Sequence, residues 1–254
     1  MKRDSRIWGT FDGRTDLVSR MEDPKGLKRI QTEGRERLYP SLTNPNWLVL
    51  RSRRELFTRW LHGLNCSNPR VLDVGGRVQP YRSLIRGGTS LYTAVDLRST
   101  PLVDIVGDAA QLPLADACFD LVLCTQMLEY ARDPRRVMSE IYRVLKPGAF
   151  LLLSAPAVYP QDSEQEYWRF LPCALRELLR DFSEIDLAAE GNSVIGLIRT
   201  VNVCLVAFTT SAVLRKLVCV TLVPALNLLG ALVEALKITN NTSFTANFSA
   251  LARK

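Results

Sequence analysis

The chain has 254 residues, 47% of them hydrophobic and 23% charged, with a formal net charge of +7. That composition excludes a disordered or fibrous protein and leaves room for one well-buried α/β domain with an appendage. The charge is uneven: residues 1–70 hold fifteen Lys or Arg against eight Asp or Glu, and the remainder is balanced. A basic excess confined to one end suits contact with phosphates, of lipid headgroups or of nucleic acid.

In chain order, residues 1–45 are polar and show no sustained period, so they are expected to form a basic arm with little regular structure. Next comes NPNWLVLRSRRELFTRWLHGLN, an amphipathic helix whose apolar residues recur at helical spacing from Trp47 to Leu64. Asn44 or Asn46 can cap its start, and Gly63 lies near its end. From Arg70 short apolar runs take over. RVLDV, LYTAVDL, LVDIVGD, FDLVLCT and AFLLLSAP read as five buried strands, with the helix DPRRVMSEIYRVL before the last of them. There Asp133 caps, and Val137, Ile141, Val144 and Leu145 form one face. Continuous apolar strands alternating with helices predict a doubly wound, mostly parallel sheet. LPCALRELLRDF reads as a further helix, SEIDLAAEG as a sixth strand and SFTANFSALARK as a last, half-exposed one. Between those two strands, residues 197–238 are rich in apolar side chains; the stretch from Leu217 to Leu236 carries one charge, Glu234, and is interrupted by Pro224, Asn227 and Gly230. This segment reads as a cap, a monotopic membrane anchor or a dimer interface. The membrane surface is favoured because Arg215 and Lys216 lie within it and the arm is basic. The expected division is 1–45 as arm, 46–196 with 239–254 as core, and 197–238 as insertion.

Six cysteines, at 66, 118, 124, 173, 204 and 219, include no Cys-x-x-Cys pair, and His62 is the single histidine. A zinc site is not expected, and no metal is assigned. The cysteines in apolar runs read as small core residues in a reducing compartment. MKRDSRIWGTFDGRTD lacks an apolar stretch of signal-peptide length. A cytoplasmic location is expected, with peripheral attachment to a membrane.

In such a sheet, ligands sit beyond the carboxyl ends of the strands. Asp73, Asp96, Asp108, Thr125 and Gln126 all fall there. Gly75 and Gly76 allow a sharp turn and close backbone approach. Asp96 can accept from both hydroxyls of a ribose, Asp108 from an adenine amino group, and Asp73 can meet an ammonium. A dinucleotide loop needs G-x-G-x-x-G, and here those positions read Gly75, Arg77 and Pro80. The ligand expected carries an adenosine and a cationic end without a pyrophosphate.

Residues 70–155 resemble a class I S-adenosylmethionine-dependent methyltransferase of the type 11 group. The likeness is carried by VLDVGG, AVDL, GDAAQLPLADACFDLVLCTQMLEYARDP and EIYRVLKPGAFLLLSAP. YPQDSEQEYWRFLPCALRELL resembles a subgroup associated with polysaccharide and lipid-linked glycan modification. The resemblance implies a Rossmann-like seven-stranded sheet with an antiparallel last strand, and S-adenosyl-L-methionine as cofactor. It further implies that Asp73, Gly75 and Gly76 face the methionine part, that Asp96 holds the ribose with Leu97 beside the adenine, that Asp108 and Ala109 contact the adenine, and that Thr125 and Gln126 lie under the sulfonium. Arg77 stands where the family has a glycine, and Tyr130 where it often has histidine. The expected reaction is methyl transfer to an oxygen or nitrogen of a small-molecule, glycan or lipid-linked acceptor. Asp162, Glu164 and Tyr130 are the expected acceptor-side groups, with Glu166 and Tyr159 behind them and Trp168 and Arg169 lining the pocket. The alternative is a catalytically inactive binding or scaffold protein. A nucleic-acid acceptor finds no RNA-binding module or Asn-Pro-Pro-Tyr motif to support it. A homodimer is left open.

Overall fold

The computed structural model describes residues 24–64, 66–161 and 163–254. Runs rich in Val and Leu, apolar on both faces, become the strands of one sheet. These are β1 (Arg70–Val74), β2 (Leu91–Asp96), β3 (Ile105–Val106), β4 (Phe119–Thr125), β5 (Leu145–Pro156), β6 (Glu184–Ala189) and β7 (Asn247–Arg253). The order is β3-β2-β1-β4-β5-β7-β6. The first five are parallel, and β7 runs antiparallel between β5 and β6. This is the seven-stranded Rossmann-like sheet the sequence implied. The reversal of strand order between β1 and β4 puts the ligand-binding crevice beside the turn after β1.

Helices cover both faces. On one lies α2 (Trp47–Gly63), with α1 (Pro24–Leu38) beside it; Phe57, Trp60 and Leu61 pack there on Val71, Leu121, Leu123 and Leu152. On the other lie α3 (Pro134–Val144) and α4 (Pro172–Leu178), where Val137, Ile141, Val144 and Leu175 meet Leu72, Val122 and Leu153. Asp133 caps α3 as expected, accepting from the Arg136 N–H at 3.1 Å.

Two expectations fail locally. Residues 24–38, placed in an irregular arm, are helical; residues 1–23 lie outside the described residues. Gly34 is what lets α1 lie on the loop after β1. A Cβ there would stand 2.9 Å from the Val78 carbonyl oxygen. Leu38, one turn on, is buried in the α2 cluster. β3 is two residues long, where LVDIVGD predicted a full strand. The Asp104 side chain takes a ladder position, accepting from the Ala94 N–H at 2.8 Å, so pairing starts only at Ile105.

The apolar insertion forms α5 (Ser193–Phe208), α6 (Ala212–Val220) and α7 (Leu222–Ala235). Each interruption in it has a use. Pro224 sits in the first turn of α7, where its missing N–H costs nothing. Gly230 meets Leu48 of α2 so closely that a Cβ would stand 2.5 Å from its Cδ1. Asn227 is fully buried and donates to the Leu42 and Asn44 carbonyls at 2.8 and 3.1 Å. The opposite face is bare: Phe208, Val213, Leu217, Leu228 and Leu232 are each more than half exposed. Residues 212–235 have the length and apolar character of a membrane-crossing helix, yet α7 is held along the domain by Gly230 and Asn227.

Candidate functional site

The turn after β1 is built by Gly75, whose φ of +81° suits glycine. Its N–H donates to the Val95 carbonyl at 2.8 Å, tying the turn to β2. A Cβ on Gly75 would stand 2.8 Å from Met127 Cγ, so a larger residue would push the segment after β4 away. Beyond this turn lies a cavity of about 870 Å³, within the range of small-molecule sites. Gly75, Asp96, Leu97, Asp108, Ala109, Thr125 and Gln126 all line it. Seven of the nine residues expected to bind the cofactor, drawn from the ends of four strands, therefore reach one space.

The other two do not line it. Asp73 is turned into the sheet, where the Tyr92 hydroxyl donates to its carboxylate at 2.7 Å. Burial pushes its pKa up to about 6, against that hydrogen bond and helped by the charge of Asp96. Gly76 packs its α-carbon on Asp73; a Cβ there would lie 2.7 Å from the Asp73 carbonyl oxygen. Both residues shape the turn from behind. Asp96 accepts from the Arg98 N–H at 2.8 Å, and Asp108 from the Ala110 N–H at 2.9 Å. Burial raises the pKa of Asp96, and Arg98 and Arg77 oppose it. Gln126, at φ +51°, donates to the Ser154 hydroxyl at 3.0 Å.

Arg77 lines the same cavity without filling it. Its guanidinium donates to Glu33 of α1 at 3.2 Å, and its carbonyl accepts from the Thr100 hydroxyl at 3.2 Å. The helix that the sequence hid thus supplies the partner of the residue that departs from the family loop.

Of the expected acceptor-side groups, Tyr130 lines the cavity, whereas Glu164 is exposed and is not part of its wall; Asp162 lies outside the described residues. Glu166 lines it, paired with Arg169 at 2.7 Å. Trp168 and Arg169 do not. The Trp168 indole N–H donates to the Ala131 carbonyl at 2.8 Å. Among the lining residues that carried no expectation are Arg53, Glu129, Arg199 and Asn247. Arg53 and Glu190 form a buried ion pair at 2.8 Å, with Ser154 and Ser249 also donating to Glu190. Burial alone would lower the Arg53 pKa, but Glu190 raises it on balance. The Arg199 guanidinium donates to Asn46 and to the Val158 carbonyl and lies 3.9 Å from the centre of the Tyr159 ring. The insertion thereby contributes one wall. Glu129 had one signal in the sequence, an acid set in the apolar context MLEYA.

Residues 72–153 match the family described as "Methyltransferase domain", Methyltransf_11. Over these residues the chain is similar to that domain family. A probable S-adenosylmethionine-dependent methyltransferase of Mycolicibacterium smegmatis is 31% identical over 131 residues, 48% of this chain and 50% of that one. The ubiquinone/menaquinone biosynthesis C-methyltransferase UbiE of a Ruegeria species is 30% identical over 118 residues, 39% of this chain and 47% of that one. The chain spans about half the length of these curated relatives. The crystal structure of a SAM dependent methyltransferase from Archaeoglobus fulgidus aligns at a TM-score of 0.51 and 16% identity, over 91% of this chain and 100% of that one. At that identity the likeness speaks for the fold alone. The match ends before α4, so the insertion and β7 lie outside the matched residues.

Proposed function

We propose that the protein binds S-adenosylmethionine at the strand ends and transfers its methyl group to an oxygen or nitrogen of a small-molecule, glycan or lipid-linked acceptor at a cytoplasmic membrane surface. The observation that carries this reading is the convergence of Gly75, Asp96, Leu97, Asp108, Ala109, Thr125 and Gln126 on one cavity. When bound, the cofactor supplies an electrophilic methyl on a cationic sulfur. The residues present fit it. Gly75 leaves the backbone bare where a Cβ would collide with Met127, and Asp96 offers a carboxylate to a ribose. Asp108, Leu97 and Ala109 are assigned to the adenine, and Gln126 and Thr125 to the methionine end. These groups hold the donor still, and most of the catalysis comes from that alignment. Calorimetric titration with S-adenosylhomocysteine tests it. The wild-type chain binds, and Asp96→Ala loses binding by at least about tenfold, the size of one charge-assisted hydrogen bond. No heat from a folded wild-type chain overturns the reading.

The membrane part of the proposal is supported by the insertion. Thirteen large apolar side chains between Leu197 and Ile238 are exposed, too many for the scattered exposure of an ordinary surface. Arg215, Lys216 and Lys237 are exposed among them, so an anionic bilayer is the surface that matches both features. Arg199 joins this insertion to the cavity, which gives a lipid-linked acceptor a route from bilayer to donor. In this reading 46–196 with 239–254 is the catalytic core, and 197–238 seats it. Flotation with vesicles containing phosphatidylserine tests the seat. Val213→Glu with Leu217→Glu should leave the chain in the soluble fraction, and co-flotation of that variant at the wild-type level refutes the anchor.

A further inference from the structure

Glu129 stands in the 3-10 turn Leu128–Tyr130 that follows β4. It lines the cavity on the same short segment as Gln126, and it is only 4% exposed. Its backbone carbonyl accepts from the Tyr167 and Trp168 N–H groups at 2.7 and 3.3 Å, which fixes the residue in place. Its Oε2 is buried and has no hydrogen-bond partner within the protein. A buried acceptor left in that state is costly, and native proteins rarely keep one without a use. The charged neighbours do not relieve it. Arg53 is engaged by Glu190, Arg169 is engaged by Glu166 at 2.7 Å, and Glu166 itself repels. The Cys124 thiol, also near, is driven well above its ordinary pKa by burial and by the Glu129 charge, so it stays neutral.

We propose that Glu129 is the acceptor-side base: it accepts a hydrogen bond from the hydroxyl or amine to be methylated and takes that group's proton. The proposal rests on donor binding as argued above. In the transfer, the acceptor oxygen or nitrogen forms a bond to the methyl carbon. The carbon–sulfur bond breaks with its electron pair left on sulfur, and the O–H or N–H proton passes to the Glu129 carboxylate. The acceptor class is thereby narrowed to groups that must shed a proton; a thiolate needs no such base.

The charge state of the site makes this testable without knowing the acceptor. Burial pushes the Glu129 carboxyl up to about 8, with Glu166 raising it further and Arg53 and Arg169 opposing. A sulfonium arriving close by favours the carboxylate; the neutral thioether left after transfer does not. The base is then ionised by the donor and released to its neutral form by the product.

The experiment is infrared difference spectroscopy of the full chain labelled with 13C-glutamate. The Glu129 carboxyl band is followed against pH with S-adenosylmethionine, with S-adenosylhomocysteine and with neither. Glu129→Gln assigns the band; Glu129→Asp, which keeps a carboxylate but takes its label out of the spectrum, assigns it if the amide variant does not fold. The expected result is a titration midpoint lower by about one pH unit or more with S-adenosylmethionine, and unmoved by S-adenosylhomocysteine. Equal midpoints with both ligands, or none moved by either, overturn the proposal. Calorimetry on the same samples separates failure of the foundation: if neither ligand binds, donor binding falls and the proposal falls with it.

Discussion

Asn227→Ala removes the joint between the insertion and the cavity rim. The Asn227 Nδ2 donates to Leu42 and Asn44, and its Oδ1 accepts from Asn202 Nδ2 at 3.0 Å. Alanine leaves the Leu42 carbonyl and the Asn202 amide donor without the partner Asn227 gave them, while the Asn44 carbonyl keeps the Trp47 N–H at 3.0 Å. Asn202 is fully buried, and its own Oδ1 already lacks a partner, so its amide bears the full penalty. Leu42 and Asn44 are half-buried, and water restores part of what they lose. At roughly 1–3 kcal/mol for a buried group and less for a hydrated one, the expected loss is about 2–4 kcal/mol. Urea unfolding followed by circular dichroism reads it as a lower midpoint at unchanged slope. Leu228→Ala, one residue on and 57% exposed, should move stability by no more than about 0.5 kcal/mol. A loss below about 0.5 kcal/mol for Asn227→Ala refutes the reasoning, because the buried amide would then hold nothing that water cannot replace.

Three further outcomes follow from the site. Glu129 and Asp73 have raised pKa values, so between about pH 4 and pH 8 the folded chain keeps protons the unfolded chain has released, and their contribution is present at low pH and lost as pH rises through that window. Glu129→Gln should gain on wild type by about 2 kcal/mol or more between pH 5 and pH 9, and stability curves that stay parallel would contradict the assigned burial. Gly75→Ala combines a φ of +81° with a clash on Met127; it should cost about 1–3 kcal/mol and abolish calorimetric binding of S-adenosylhomocysteine, and unchanged affinity would show that the turn is not at the donor. Arg53→Met leaves Glu190 buried with two serine donors and no cation. The thermal midpoint should drop by the equivalent of about 3–5 kcal/mol, and an unchanged midpoint would show that the ion pair does not hold the fold.

The sheet was legible because each of its long strands is an apolar run bounded by charge or glycine, and because Asp133 and the stripe from Val137 to Val144 mark α3; Leu145, read as part of that stripe, opens β5 instead. β3 was not, since Asp104 replaces a backbone bond with a side-chain one, and no period records that. α1 was missed for a related reason. Residues 1–45 show no sustained period, and only the nearness of the Val78 carbonyl shows what Gly34 does there. Where a strand end aims a residue, as at Asp96 and Asp108, the structure places it in the cavity wall. Asp73 has the same local signature, yet Tyr92, nineteen positions away, claims its carboxylate. The rest of the cavity wall escaped because its members come from α2, the turn after β4, α5 and β7. Long-range juxtaposition of single polar residues leaves no spacing to read, and Glu129 stands out only once its lack of a partner is seen.

β6 hydrogen-bonds to β7 and to no other strand of the sheet, and β7 is made after the three apolar helices. During synthesis β6 therefore waits, unzipped, while roughly forty residues of greasy chain leave the ribosome, at a pace of seconds. A bilayer or a chaperone has time to capture that stretch before the sheet can close over β6. Yield in a cell should then depend on what greets the nascent helices more than on the strength of the finished fold.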